Sequence, residues 1–216
     1  MLGGASAGKG SSAGASELTP KGPPITRHSS GLEQFVNSIK GDENLSILDF
    51  AGATQANVTF ITSLGHRLSS EDYLRSLELA FSDGDFYANQ NDPEQTERFL
   101  AENLNFPPEH FDGALVWDAL QFLAPQLLQT TVDRLYDTLK PNSSMLAFFH
   151  SDEKTLEVPL YQYRIGDQKT LLLTPRGSRA RAQFFNNRGL EKLFQRFQSV
   201  KFFLTRDSLR EVIVRR

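Results

Sequence analysis

The chain has no cysteine, so no disulfide braces it and no thiolate holds a metal, while the redox compartment stays open. It also lacks any run of about 18 apolar residues, the length a membrane-spanning helix needs. No continuous apolar stretch marks a secretory signal near residue 1, and the default expectation is a cytoplasmic address. His28, His66, His110 and His150 have no ligand spacing among themselves or with acids, so no metal site is expected. No G-x-S-x-G elbow supports a serine triad.

What is present fits one substantial core. The chain has 216 residues, 39% hydrophobic and 11% aromatic, which suits one domain plus a tail. Residues 1–30, rich in Gly, Ala, Ser and Pro, have no periodic apolar positions and are expected to form a disordered tail. Within it, Gly3 to Lys9 has the spacing of a phosphate loop, but Gly10 replaces the Ser or Thr that would hold magnesium and no strand precedes it. That stretch is set aside as a decoy.

The folded part, residues 31–216, opens on a helical pattern with Leu32, Phe35, Val36 and Ile39 on one face. Next, Ser46-Ile47-Leu48-Asp49 reads as a short strand ending at a carboxylate, followed by the small residues Ala51, Gly52 and Ala53 and then a helix. That layout makes a nucleotide crevice: the strand delivers the acid, the small side chains admit a ligand, and the helix N-terminus offers free N–H groups. A second strand ends at Glu71, 22 residues beyond Asp49, a spacing that suits an acid on ribose hydroxyls.

Two later landmarks narrow the choice. Phe111 to Trp117 reads as a buried strand that stops at Trp117-Asp118 before a helix start, with Phe106-Pro107-Pro108 in the loop ahead of it. Leu139-Lys140-Pro141-Asn142-Ser143 turns into a further strand through Phe149. The order, from roughly Leu45 to Arg216, resembles class I S-adenosylmethionine (SAM) dependent methyltransferases. Where that family usually has three loop glycines, this chain has Ala51, Ala53 and Gln55, with Gly52 between them.

The resemblance implies an α/β, Rossmann-like methyltransferase sheet, mostly parallel and closed by an antiparallel C-terminal hairpin. It also implies SAM as cofactor, bound by Asp49, Ala51, Gly52, Ala53, Glu71, Trp117 and Asp118. The acceptor, small or macromolecular, is not named by any motif. A catalytic residue is unassigned beyond His150, a candidate general base because imidazole titrates near neutrality. The alternative is a non-catalytic member of the fold that has lost its cofactor and acts as an interaction or scaffold protein. A nicotinamide oxidoreductase fits the closing hairpin poorly.

The remaining segments complete that outline. No third strand is evident after Glu71: Phe81 to Asn91 reads as a polar loop and Thr96 to Leu104 as a helix or connector, so that sheet edge is expected to be truncated. Leu160–Ile165 and Lys169–Thr174 form an inserted β-hairpin, whose Tyr161 and Tyr163 are either acceptor-pocket residues or ordinary strand aromatics. Residues 176–216 hold 11 Lys+Arg against 3 Asp+Glu, while residues 1–175 hold 12 against 23. Arg176, Arg179 and Arg181, in an expected loop beside Phe184 and Phe185, are candidates for nucleic-acid contact. The competing reading pairs them with the acidic part of the same molecule.

Overall fold

The computed structural model describes residues 21–205 and 207–216; the phosphate-loop spacing at 3–9 lies outside them. In chain order the elements are β1 (Ile25–His28), α1 (Ser30–Ile39), β2 (Ser46–Asp49), α2 (Gln55–Ser63), β3 (Arg67–Ser70), α3 (Tyr73–Phe81), α4 (Phe86–Asn89) and α5 (Pro93–Asn103). There follow β4 (Phe111–Trp117), a 3₁₀ turn (Ala119–Phe122), α6 (Pro125–Thr138), β5 (Leu139–His150), β6 (Glu157–Asp167), β7 (Thr170–Ala180), α7 (Asn187–Leu193), β8 (Ser199–Phe203) and β9 (Leu209–Arg215).

Six strands make the main sheet in the order β3-β2-β4-β5-β9-β8. The first four run parallel, and β9 lies antiparallel between β5 and β8. The fold is therefore α/β and Rossmann-like, with the closing hairpin expected from sequence. Its middle strands read as unbroken apolar runs, Ala114 to Trp117 and Met145 to Phe149, because both faces are covered. On α1, Leu32, Phe35, Val36 and Ile39 are buried, and the helix packs on β5 and β9. Gly113 makes room for it: a Cβ there would stand 3.0 Å from the Phe35 ring.

At the other edge, β3 is four residues long, and among the described residues no strand lies beyond it. Short, polar edges limit pairing with other chains. The segment that might have extended the sheet is instead α5, which packs on α3. The expected polar loop after Phe81 contains one short turn of helix, α4, capped by Asp85.

A second sheet, β1-β7-β6, is antiparallel throughout. It corrects two expectations. The tail does not extend to residue 30, since Ile25–His28 pairs with β7. Arg176 and Arg179 are in β7 rather than a loop. Both differences have one cause: these strands carry arginines whose burial is compensated by distant acids, which leaves no apolar alternation to read. No helix among the described residues is long and apolar enough to cross a membrane.

Candidate functional site

The order of β3, β2 and β4 sets the site. The chain leaves β2 toward β3 on one side, while β4 lies on the other, so the crevice between β2 and β4 is a topological switch point, where open α/β sheets bind ligands. Asp49 ends β2 at this point and is fully buried. Its carboxylate accepts from Trp117 Nε1 (2.6 Å), the Ala51 amide (3.0 Å) and Asn57 Nδ2 (2.8 Å). Burial pushes the Asp49 carboxyl up to about 6, against the downward pull of those three donors.

Glu71 follows β3 and lies beside Asp49. Its amide donates to the Asp49 carbonyl (2.8 Å), and the Gly52 amide donates to the Glu71 carbonyl (3.1 Å). Phe50 stacks on Tyr73 at 4.2 Å between ring centroids, locking the two strand ends together. The Glu71 side chain is half-buried and makes no hydrogen bond or ion pair among the described residues. Between the acids the chain turns at Gly52, whose φ of +77° glycine adopts readily. Ala51 is buried and Ala53 exposed. Gln55 begins α2, so its side chain is compatible with the backbone there, and it bonds Thr59 on the exposed face.

Trp117 and Asp118 close the crevice from the β4 side. Trp117 has φ +53°, unusual for a bulky residue, at a register shift between β4 and β5. That backbone is held in place by the indole's bond to Asp49 and by its stack on Tyr163, 5.0 Å between centroids. Asp118 stands at the N-cap of the 3₁₀ turn but makes no capping bond, and neither of its buried oxygens has a hydrogen-bond partner. Burial pushes its carboxyl up to about 7; the Tyr163 hydroxyl beside it and Arg176 pull the other way. The Tyr163 hydroxyl is itself without a partner, close enough to act on Asp118 yet outside hydrogen-bond geometry.

His150 ends β5 on the same side of the sheet, its Nε2 buried and unpaired. Burial, with the nearby Arg181 guanidinium, pushes its imidazole down to about 4, and Asp207 opposes this. Among the described residues no group of histidines, aspartates and glutamates is placed to hold a metal ion.

The β6–β7 hairpin lies over these strand ends. Asn57 ties it down: its Oδ1 accepts from the Ile165 amide (2.8 Å) and its Nδ2 also donates to the Tyr163 carbonyl (3.3 Å). Arg176 makes two bonds to Asp72, at 3.2 and 3.0 Å, and Arg179 pairs with Glu78 while lying 3.8 Å above the Phe86 ring. Arg181 donates to the carbonyls of His150, Asp152 and Glu153. The three arginines thus bind the acidic part of the chain. Asn57 and Asp72 were not singled out from sequence; the only local signal was a polar residue at each helix start, Asn57 buried in the first turn of α2 and Asp72 half-buried at the N-cap of α3.

The fit to SAM is uneven. On the adenosine side, the Gly52 turn and the Glu71 carboxylate suit a ribose. On the Asp49 side, the carboxylate already accepts three hydrogen bonds, and Tyr163 stacks on Trp117 with its hydroxyl beside Asp118.

No family model and no curated protein matches this chain. Among solved structures it is similar to a SAM dependent methyltransferase from Archaeoglobus fulgidus (14% identity, 86% of this chain and 91% of that one, TM-score 0.48). It is also similar to a SAM-dependent methyltransferase from Methanosarcina mazei (17% identity, 81% and 93%, TM-score 0.47). A third is 1,6-didemethyltoxoflavin-N1-methyltransferase from Burkholderia thailandensis, with bound 1,6-didemethyltoxoflavin and S-adenosylhomocysteine (11% identity, 86% and 76%, TM-score 0.47). At this level of similarity, the chain's own strand order and reversed β9 carry the fold.

Proposed function

We propose that this chain is a SAM-dependent methyltransferase acting on an acceptor that no residue yet specifies. The observation that carries the reading is the pairing of Asp49 and Glu71 on adjacent strand ends across the Gly52 turn, at the switch point of the sheet. A fold held by packing alone has no use for a half-buried, unpaired carboxylate at that place. Glu71 is the ribose acceptor, Gly52 with Ala51 and Ala53 admits the ligand to the backbone, and Asp49 fixes the loop through the Ala51 amide.

When bound, SAM supplies an activated methyl donor, so the protein's task is chiefly positioning. Where an acceptor must lose a proton, the Asp118 carboxylate is the better-matched base. Its carboxyl, pushed up to about 7, titrates near neutrality. His150, pushed down to about 4, is neutral at pH 7 but weakly basic. The non-catalytic reading is supported by Gln55, Ala51 and Ala53 in the places of the loop glycines and by the Trp117–Tyr163 stack.

The test is calorimetric titration with SAM and S-adenosylhomocysteine, with NADH as a competing ligand. Micromolar binding to the natural chain that disappears in Glu71→Ala is the expected result. Absence of heat from either ligand, in both the natural chain and a variant opened at the hairpin, excludes the enzyme reading.

A further inference from the structure

We infer that Tyr163 is a built-in occupant of the Asp49 end of the crevice, so that a SAM-type ligand enters only when the Tyr161–Tyr163 segment of β6 withdraws. This rests on the proposed cofactor site and names what controls access to it.

Tyr163 is buried, stacked on Trp117 at 5.0 Å and packed against Phe148 at 5.5 Å, with its hydroxyl beside Asp118. These partners end β4 and run through β5, and Trp117 in turn holds Asp49. The ring therefore stands one side chain away from Asp49, at the end of the crevice opposite Glu71.

The polar atoms around it are poorly matched to that role. The Tyr163 hydroxyl and both Asp118 oxygens lack hydrogen-bond partners, although an unpaired buried polar group is costly. An occupant that is only part of the fold would be expected to satisfy them. One that exchanges with a polar ligand need not.

The means of release are also present. Among the described residues, the hairpin is held on the rest of the fold by buried apolar side chains, Leu160, Ile165 and Leu171 among them, and on the crevice wall by polar links that can exchange with solvent: Asn57 to the backbone of Tyr163 and Ile165, Arg176 to Asp72, and Arg179 to Glu78. Asp72 follows Glu71 directly, so the Arg176 clamp closes on the residue next to the proposed ribose acceptor. Ligand binding at Glu71 and the clamp at Asp72 thus share one turn of chain. Apparent affinity then equals the intrinsic affinity scaled by the fraction of molecules in which the segment has withdrawn.

The experiment titrates S-adenosylhomocysteine into the natural chain, Tyr163→Ala and Asp72→Asn, while hydrogen exchange follows the Ile165 amide. Asp72→Asn leaves the core untouched and covers the case in which Tyr163→Ala does not fold. The expected results are binding about tenfold tighter or more in both variants, and faster exchange at Ile165 in the natural chain when the ligand is added. Binding by a variant but not by the natural chain also supports the inference. Binding to the natural chain with Ile165 exchange unchanged, and no gain in either variant, overturns it and leaves the proposed function standing. No binding to any of the three folded proteins overturns both.

Discussion

Asp118 is the residue whose chemistry departs furthest from its surroundings, because a carboxyl with no hydrogen bond has been placed in the core. Its folded value of about 7 lies above the ordinary value of 3.8. Between those values the folded chain keeps a proton the unfolded chain has released, so stability falls as pH rises through that window and stays low above it. Asp49, raised to about 6, acts in the same direction. His150, lowered to about 4 from 6.5, acts in the opposite one: between those values the unfolded chain binds the proton first, and stability falls as pH falls. Asp118→Asn removes only the first contribution. Its stability advantage over the natural chain, measured by urea unfolding, should grow by a few kcal/mol between about pH 4 and pH 7. Trp117→Phe deletes one of the three donors to Asp49 and should cost roughly 1.5–3 kcal/mol by the same measurement, read by circular dichroism. Asp49, Glu71, Trp117 and Asp118 were all legible as candidates, because strand ends in an α/β pattern announce themselves locally. That Asp49 accepts three hydrogen bonds and Asp118 none was not legible, since both facts depend on what other elements bring beside them.

The strands and helices that line the crevice were mostly readable, and the reason is visible in β4 and α1. An apolar run flanked by turns and a 3.6-residue apolar face each have a period that one segment carries alone. Gly113 records the contact between them. A Cβ at that position would lie 3.0 and 3.1 Å from Phe35 ring atoms and 3.3 Å from Ile47. Gly113→Ala should therefore cost roughly 1–3 kcal/mol through overpacking, measured as a shift of the urea midpoint with unchanged slope. The hairpin was also visible as two strands about a turn, yet its docking was not. Asn57 and Ile165 are 108 residues apart, and an amide side chain on a helix gives no sign of the backbone it will bind. The same holds for β1, whose four residues acquire a strand's shape only by pairing with β7.

Across the whole molecule the uneven charge of the chain becomes a means of joining its two sheets. The basic C-terminal part and the acidic remainder meet at Arg176–Asp72 and Arg179–Glu78. The most buried link runs the other way, from Arg27 in β1 to Glu211 in β9. Glu211 is fully buried and also accepts from the Gly31 amide at the start of α1, while Arg27 reaches Asp207 and the Leu209 carbonyl. Burying two charges is costly, and their attraction repays the cost only while both are present. Arg27→Ala leaves the Glu211 carboxylate in the core without its cation and should destabilise the chain by roughly 3–5 kcal/mol. Arg27→Met with Glu211→Met removes both charges and should recover most of that loss, as isosteric apolar replacements of buried pairs commonly do. Urea unfolding of the natural chain, the single variant and the double variant decides it. If the double variant is no more stable than Arg27→Ala, the pair contributes through the geometry it gives β1 and α1 rather than through compensated charge, and the two sheets are joined chiefly by the apolar packing beneath the β6–β7 hairpin.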